Sequence, residues 1–174
     1  MNKTYYSWED MQKLCMNIAK QLGDWKPDYI VGITRGGAIP GVMLSHYLNV
    51  PMHPLEVSLR TEGGYQVHDV GMSEDAIGYI PYSERNGDET ASPERRKKIL
   101  VVDDINDTGA TIEWIKESWK DSFNNWEDVW GNNVRFAVLV DNKSSKVSVD
   151  YSGTVIDKSV EDSWIVFPFE EWWK

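Results

Sequence analysis

Thirteen residues, Ile99-Leu100-Val101-Val102-Asp103-Asp104-Ile105-Asn106-Asp107-Thr108-Gly109-Ala110-Thr111, constrain this chain most. Four apolar residues without polar alternation read as a parallel strand buried on both faces. Ile112, Ile115 and Trp119 then recur at helical spacing. A buried strand running through a short loop into a helix is the repeating unit of an open α/β sheet, and such sheets bind ligands beyond the carboxyl ends of their strands. Three acids fall there. Thr108 to Thr111 adds backbone N–H groups, two hydroxyls and a glycine at the mouth of the helix, a combination that suits a phosphate oxyanion. An acidic helix cap would account for one of the carboxylates but not for all three.

A second strand, loop and helix precede the first. Pro27-Asp28 breaks the chain, Tyr29 to Ile33 reads as a buried strand ending in Thr34-Arg35-Gly36-Gly37, and Ala38 to Leu48 follows as a helix. Pro40 sits in the first turn of that helix, where its missing N–H costs nothing. Upstream, Ser7 and Asp10 mark a helix start, and Trp8, Met11, Leu14, Cys15, Ile18, Ala19 and Leu22 recur at three- and four-residue spacing before Gly23. Met52 to Arg60 reads as a strand with unequal faces. From Thr61 to about Lys97 no period is sustained, and a short hairpin is the most it suggests. Arg135 to Val140 is the next core strand, and Asp141-Asn142-Lys143-Ser144-Ser145 leaves its carboxyl end.

At 174 residues and 41% hydrophobic content the chain is expected to form one globular domain with a full core. It has no apolar run of membrane-spanning length, and its first residues lack the apolar core of a signal peptide. The expected location is the cytoplasm, with no membrane partner. A net charge of −10 argues against nucleic acid. Cys15, the only cysteine, lies on an apolar helix face and reads as a packed thiol. His46, His53 and His68 share no metal-ligand spacing, and Arg95 to Lys98 reads as a solvated basic loop end.

The thirteen-residue stretch resembles, at every position, the phosphoribosyl-pyrophosphate (PRPP) signature of type I phosphoribosyltransferases. The resemblance implies that family's α/β fold, a mostly parallel central sheet with helices on both faces and a small C-terminal hood formed mainly by about 141–174. It implies that Asp103 and Asp104 hold the ribose hydroxyls, directly or through Mg²⁺, and that Asp107, Thr108, Gly109, Ala110 and Thr111 form the 5′-phosphate loop. Asp107 would face the base as the catalytic proton acceptor. Arg35, Gly36 and Gly37 match the family's pyrophosphate loop, with Ser58 and Arg60 as further contacts, and the irregular stretch within 61–93 matches the mobile lid that excludes water during reaction.

Base recognition would fall on Lys143, where purine-using members place a lysine against the 6-oxo group, although Ser144 stands where proline often follows. Asp162 to Trp172 resembles the end of xanthine-guanine phosphoribosyltransferases. Trp164 would stack on the purine, the Ile165 backbone would meet its edge, and Glu170 would approach the metal or the 2-position. The expected activity transfers phosphoribose from PRPP to a 6-oxopurine, releasing pyrophosphate, in a homodimer. A pyrimidine substrate, or a non-catalytic PRPP sensor on the same fold, remain the alternatives; a receiver-domain metal site is discounted because its acids would follow the first strand.

Overall fold

The structure, a computed structural model, describes residues 2–57, 70–78, 96–122 and 128–174. Five strands form one parallel sheet in the order β3-β2-β4-β5-β6: β2 is Tyr29–Thr34, β3 Met52–Glu56, β4 Ile99–Asn106, β5 Val134–Asn142 and β6 Tyr151–Ile156. The strand expected to be parallel and buried on both faces is the central one, with Val101 opposite Val31 on one side and Phe136 on the other.

Its apolar run feeds two cores by strict alternation. Leu100 and Val102 point to the face covered by α1 (Trp8–Leu22) and α2 (Ala38–Leu48), where they join Met11, Leu14, Ile18 and Leu44. Ile99 and Val101 point to the opposite face, covered by α3 (Val70–Ile77) and α4 (Ala110–Ser122), among Met72, Ala76, Ile112 and Ile115. All four β4 residues are fully buried, which is why the run shows no polar alternation.

Helix α1 begins where the sequence indicated. Ser7 Oγ accepts from the Asp10 N–H, and the Asp10 carboxylate accepts from the Ser7 N–H, a reciprocal cap that stabilises a helix by about 0.5–2 kcal/mol. Cys15 is buried on the inner face, as expected.

Four features depart from the sequence reading. Residues 70–77 form α3 inside the stretch expected to lack regular structure. Its Met72 and Ala76 are buried, Tyr29 Oη donates to Asp75, Lys97 pairs with Asp75 at 3.0 Å, and Asn133 donates to the Ala76 carbonyl. This part of the 61–93 region is thus tied to the sheet; the remainder of the expected lid lies outside the described residues. Strand β3 ends at Glu56, short of Arg60. The stretch expected to be hood contributes β6, the fifth strand of the main sheet, after an eight-residue return whose Val147 and Val149 pack on the second core. Finally, β1 (Asn2–Tyr5) pairs in parallel with β7 (Ser163–Val166), so the small second sheet draws on both ends of the chain. Among the described residues no helix is long and apolar enough to cross a membrane.

Candidate active site

The carboxyl end of β4 opens into a cavity of about 990 Å³. It is lined by Asp103, Asp104 and Asp107 through Thr111, by Arg35 and Gly36, and by Trp164, Ile165, Phe169 and Glu170. The residues expected around PRPP and those expected around a base thus meet in one space, although they come from strand ends and loops up to 135 positions apart in the chain.

Asp103 and Asp104 are still within β4, so their side chains alternate about the strand. The Asp104 N–H donates to Asp103 Oδ1 at 2.9 Å, and the Ile105 N–H donates to Asp104 Oδ1 at 2.8 Å. Burial pushes the Asp103 carboxyl well above the ordinary carboxylate range, and the adjacent Asp104 charge pushes it further. Asp104 is also raised, chiefly by burial, with a contribution from the nearby charge of Glu170. Two half-buried, mutually repelling carboxylates are an oxygen donor set suited to a hard divalent cation. Among the described residues no cluster of three or more His, Cys, Asp or Glu side chains is arranged around a common metal position.

The glycines of the Arg35 loop are explained by this acid pair. A Cβ on Gly36 would stand 2.1 Å from Asp104 Oδ2, and one on Gly37 would stand 2.1 Å from the Val102 carbonyl and 2.8 Å from the Asp103 Cα. The loop lies directly on β4, and the exposed Arg35 lines the same cavity as the acids. The Thr34–Arg35 peptide is cis.

At the head of α4, Gly109 adopts φ +89° and packs against Val147, with room for no side chain: a Cβ would lie 2.8 Å from Val147 Cγ2. The Ala110 N–H meets Thr108 Oγ1 at 3.4 Å, and the first residues of α4, Ala110 to Ile112, line the cavity, where unpaired helix N–H groups suit an anion.

Asp107 is held from two sides. Asn142 Nδ2 donates to the Asp107 carbonyl at 2.9 Å and to its Oδ1 at 3.3 Å, while Lys158 Nζ meets Oδ2 at 3.0 Å. Asn142 is buried, and its Oδ1 accepts from the Lys158 N–H. Neither residue was singled out from the sequence. Lys158 stands two residues beyond the end of β6, and the strand-end rule that located the acids would have pointed to it had β6 been recognised.

Lys143 is exposed on the loop after β5, where its backbone N–H donates to the Ile156 carbonyl, and it is not among the residues that line the cavity. Trp164 is 41% exposed and lines the cavity, ruling out plain core packing for this side chain; Ile165 beside it is buried. Glu170 reaches the cavity, with Oε1 accepting from the Phe167 N–H at 2.8 Å. Ser58 and Arg60 lie outside the described residues.

The chain matches the family model described as "Phosphoribosyl transferase domain" over residues 1–174. It is 25% identical to hypoxanthine-guanine phosphoribosyltransferase of Saccharomyces cerevisiae, with 97% of this chain and 86% of that protein covered. Xanthine-guanine phosphoribosyltransferase of Cereibacter sphaeroides is 26% identical, with coverages of 95% and 86%. The crystal structure of a purine phosphoribosyltransferase from Pyrococcus horikoshii superposes with a TM-score of 0.66 at 28% identity, covering 98% of this chain and 95% of that one. With an acid pair, a glycine-headed anion loop and an aromatic wall in one cavity, and a family match along its whole length, this chain belongs to the phosphoribosyl transferase domain family.

Proposed function

We propose that this phosphoribosyltransferase joins a 6-oxopurine (guanine, hypoxanthine or xanthine) to PRPP, giving the purine nucleotide and pyrophosphate, as in purine salvage. The observation that carries the reading is the single cavity that Asp103, Asp104 and the Thr108–Thr111 loop share with Trp164. The relatives named for hypoxanthine, guanine and xanthine support the choice of base.

Asp103 and Asp104 hold the ribose hydroxyls and, with Glu170 nearby, a Mg²⁺ ion. Mg²⁺ would offset pyrophosphate charge, and the raised carboxyl pair is the donor set that fits it. The backbone N–H groups and hydroxyls of Thr108 to Thr111 hold the 5′-phosphate, and Asp107 closes this loop on the side of the base. Arg35, with the Gly36-Gly37 backbone, holds pyrophosphate through charge-assisted hydrogen bonds. Ser58 and Arg60 belong to the same proposal by position in the sequence.

Trp164 stacks on the base and the Ile165 backbone meets its edge. As N9 of the purine attacks the sugar C1′, the bond from C1′ to pyrophosphate breaks and its electron pair leaves with pyrophosphate. The proton on the other imidazole nitrogen, N7, passes to Asp107. Positioning of the two reactants supplies much of the acceleration. Residues 1–174 act as one domain, with β1, β7 and the C-terminal residues hooding the base and a lid within 61–93 excluding water. The protein works in the cytoplasm as a homodimer, for which the exposed Ile39, Val42 and Tyr47 of α2 offer an apolar face; it has no nucleic-acid partner, in keeping with its net charge of −10.

The test is a base screen with PRPP and Mg²⁺, following pyrophosphate release for guanine, hypoxanthine, xanthine, adenine, uracil and orotate. Release with the 6-oxopurines is expected. Release confined to a pyrimidine overturns the choice of base, and none with any base favours the non-catalytic sensor.

A further inference from the structure

The loop from Thr108 to Thr111 rests on the return between β5 and β6. A Cβ on Gly109 would meet Val147 Cγ2 at 2.8 Å and Ser145 Oγ at 3.1 Å, so Ser145-Lys146-Val147 lies directly against the loop. The Lys146 N–H donates to the Thr108 carbonyl at 3.3 Å. One residue earlier, Asn142 Nδ2 donates to the Asp107 carbonyl at 2.9 Å. Asn142, Ser145, Lys146 and Val147 do not line the cavity, whereas Asp107 to Thr111 all do. Both carbonyls are therefore drawn away from the cavity. In a trans peptide the N–H points opposite to the C=O, so the same two bonds turn the Thr108 and Gly109 N–H groups toward the space the loop lines. Successive N–H groups turned to one side, with a glycine at φ +89°, make an anion-binding concavity.

The return is held in turn by Asn106, the last residue of β4, which is only 2% exposed. Its Nδ2 donates to the Val147 carbonyl at 2.7 Å and to Asp141 Oδ1 at 2.8 Å, and its Oδ1 accepts from Ser145 Oγ at 3.0 Å. Both amide hydrogens are committed within the protein, so Asn106 has no side-chain donor left for a ligand. Although it borders the cavity, its influence passes through the return.

We propose that Asn106 is a positioning residue for the 5′-phosphate: it fixes Ser145-Lys146-Val147 beneath the loop, and that segment sets the direction of the Gly109 N–H. The proposal rests on the function proposed above in one respect, that Thr108 to Thr111 hold the phosphate, and is independent of which base is used. The site demands an amide. An apolar side chain would leave the Val147 carbonyl and the Ser145 hydroxyl without this partner, and an aspartate would set a carboxylate against both the Asp141 carboxylate and the Val147 carbonyl.

The experiment is calorimetry with Mg·PRPP, which carries the 5′-phosphate, and with Mg·pyrophosphate, which does not. It compares wild type, N106A, N106D, S145A and C15A, with urea unfolding to establish which variants fold. Cys15 belongs to the core on one face of the sheet and Val147 packs on the other, so C15A controls for lost stability alone.

N106A and N106D should bind Mg·PRPP about 10- to 100-fold more weakly, the range expected when a donor to a charged group is misdirected, and Mg·pyrophosphate within about twofold of wild type. S145A, which removes the hydroxyl bonded to Asn106 Oδ1, should show the same selective loss at smaller size, and it carries the test if the Asn106 variants do not fold. C15A should bind both ligands as the wild type does. Folded Asn106 variants that keep their PRPP affinity overturn the inference, as does S145A with wild-type affinity where it carries the test. Equal losses for PRPP and pyrophosphate, or the same selective loss in C15A, also overturn it. A wild type that binds Mg·PRPP yet releases pyrophosphate with no base overturns the proposed reaction alone, whereas one that does not bind Mg·PRPP overturns both.

Discussion

Gly36 and Asp104 touch so closely that a single added carbon on the glycine would stand 2.1 Å from a carboxylate oxygen. The Arg35-Gly36-Gly37 loop and the acids of β4 are therefore one packed unit, and the two glycines of the loop should answer differently to the same substitution. At Gly36 the obstacle is the movable end of an aspartate side chain, so Gly36→Ala should cost little stability while displacing Asp104 and weakening Mg·PRPP binding by about tenfold or more. At Gly37 the obstacles are the Val102 carbonyl and the Asp103 Cα, which cannot yield without moving β4. Gly37→Ala should lower unfolding free energy by roughly 1–3 kcal/mol, in the manner of an overpacked core. Urea unfolding and PRPP calorimetry on both variants test this, and equal stability losses in the two would refute the distinction.

What was legible in the sequence, and what was not, follows from how each feature is encoded. The central strand announced itself because burial on both faces leaves four apolar residues in a row, and the acids and the anion loop follow it without interruption. Helix α3 was invisible because eight residues hold barely two turns, and its buried Met72 and Ala76 sit between glycines that read as punctuation. Strand β1 is exposed along its whole length, and its pairing with β7 is a contact across more than 150 residues that no local pattern records. Strand β6 alternates weakly and carries Gly153, whose missing side chain admits Leu14 of α1. Overlooking β6 hid Lys158, which pairs with Asp107 at 3.0 Å.

Cys15 gives the chain a pH-dependent stability that can be isolated. Burial pushes its thiol up to about 11, whereas an unfolded thiol titrates near 8.5. Above that lower value the unfolded chain has released the proton and the folded chain still holds it, so stability falls as pH rises from about 8.5 to about 11. The full effect is roughly 3 kcal/mol, present below the lower limit and lost at the upper one. Cys15→Ala should lower stability at neutral pH by removing packed atoms, yet flatten this decline. Urea unfolding of both proteins at pH 8 and pH 10.5 decides the matter, because other groups titrate alike in the two. Parallel declines would show that the thiol is not the cause.

Replacing both Asp103 and Asp104 with Asn keeps the shape of the acid pair and removes its charge. The raised carboxyls show that the buried charges are unfavourable in the fold, so the double variant should be at least as stable as the wild type. It should bind Mg·PRPP at least about tenfold more weakly, since the oxygen donors suited to a hard cation have lost their charge. Unchanged PRPP affinity in a folded double variant would remove the pair from the site.

Asp107 offers the sharpest separation of chemistry from binding. Its two carboxylate oxygens are held by different partners, Oδ1 by Asn142 and Oδ2 by Lys158, and its backbone carbonyl is held independently by Asn142 at 2.9 Å. The loop that carries it should therefore keep its course when the side chain is changed, and the 5′-phosphate contacts from Thr108 to Thr111 should survive. Asp107→Asn is close to isosteric but cannot accept the imidazole proton, and it places an amide where a carboxylate met the Lys158 ammonium. Turnover should fall by about 10²- to 10⁴-fold, the usual cost of a missing general base, while PRPP affinity changes little. Single-turnover kinetics with saturating PRPP and guanine measure the first, and calorimetry with Mg·PRPP measures the second. A variant with near wild-type single-turnover rate would exclude Asp107 as the proton acceptor, and one that lost PRPP binding in equal proportion would assign it to holding the phosphate loop instead.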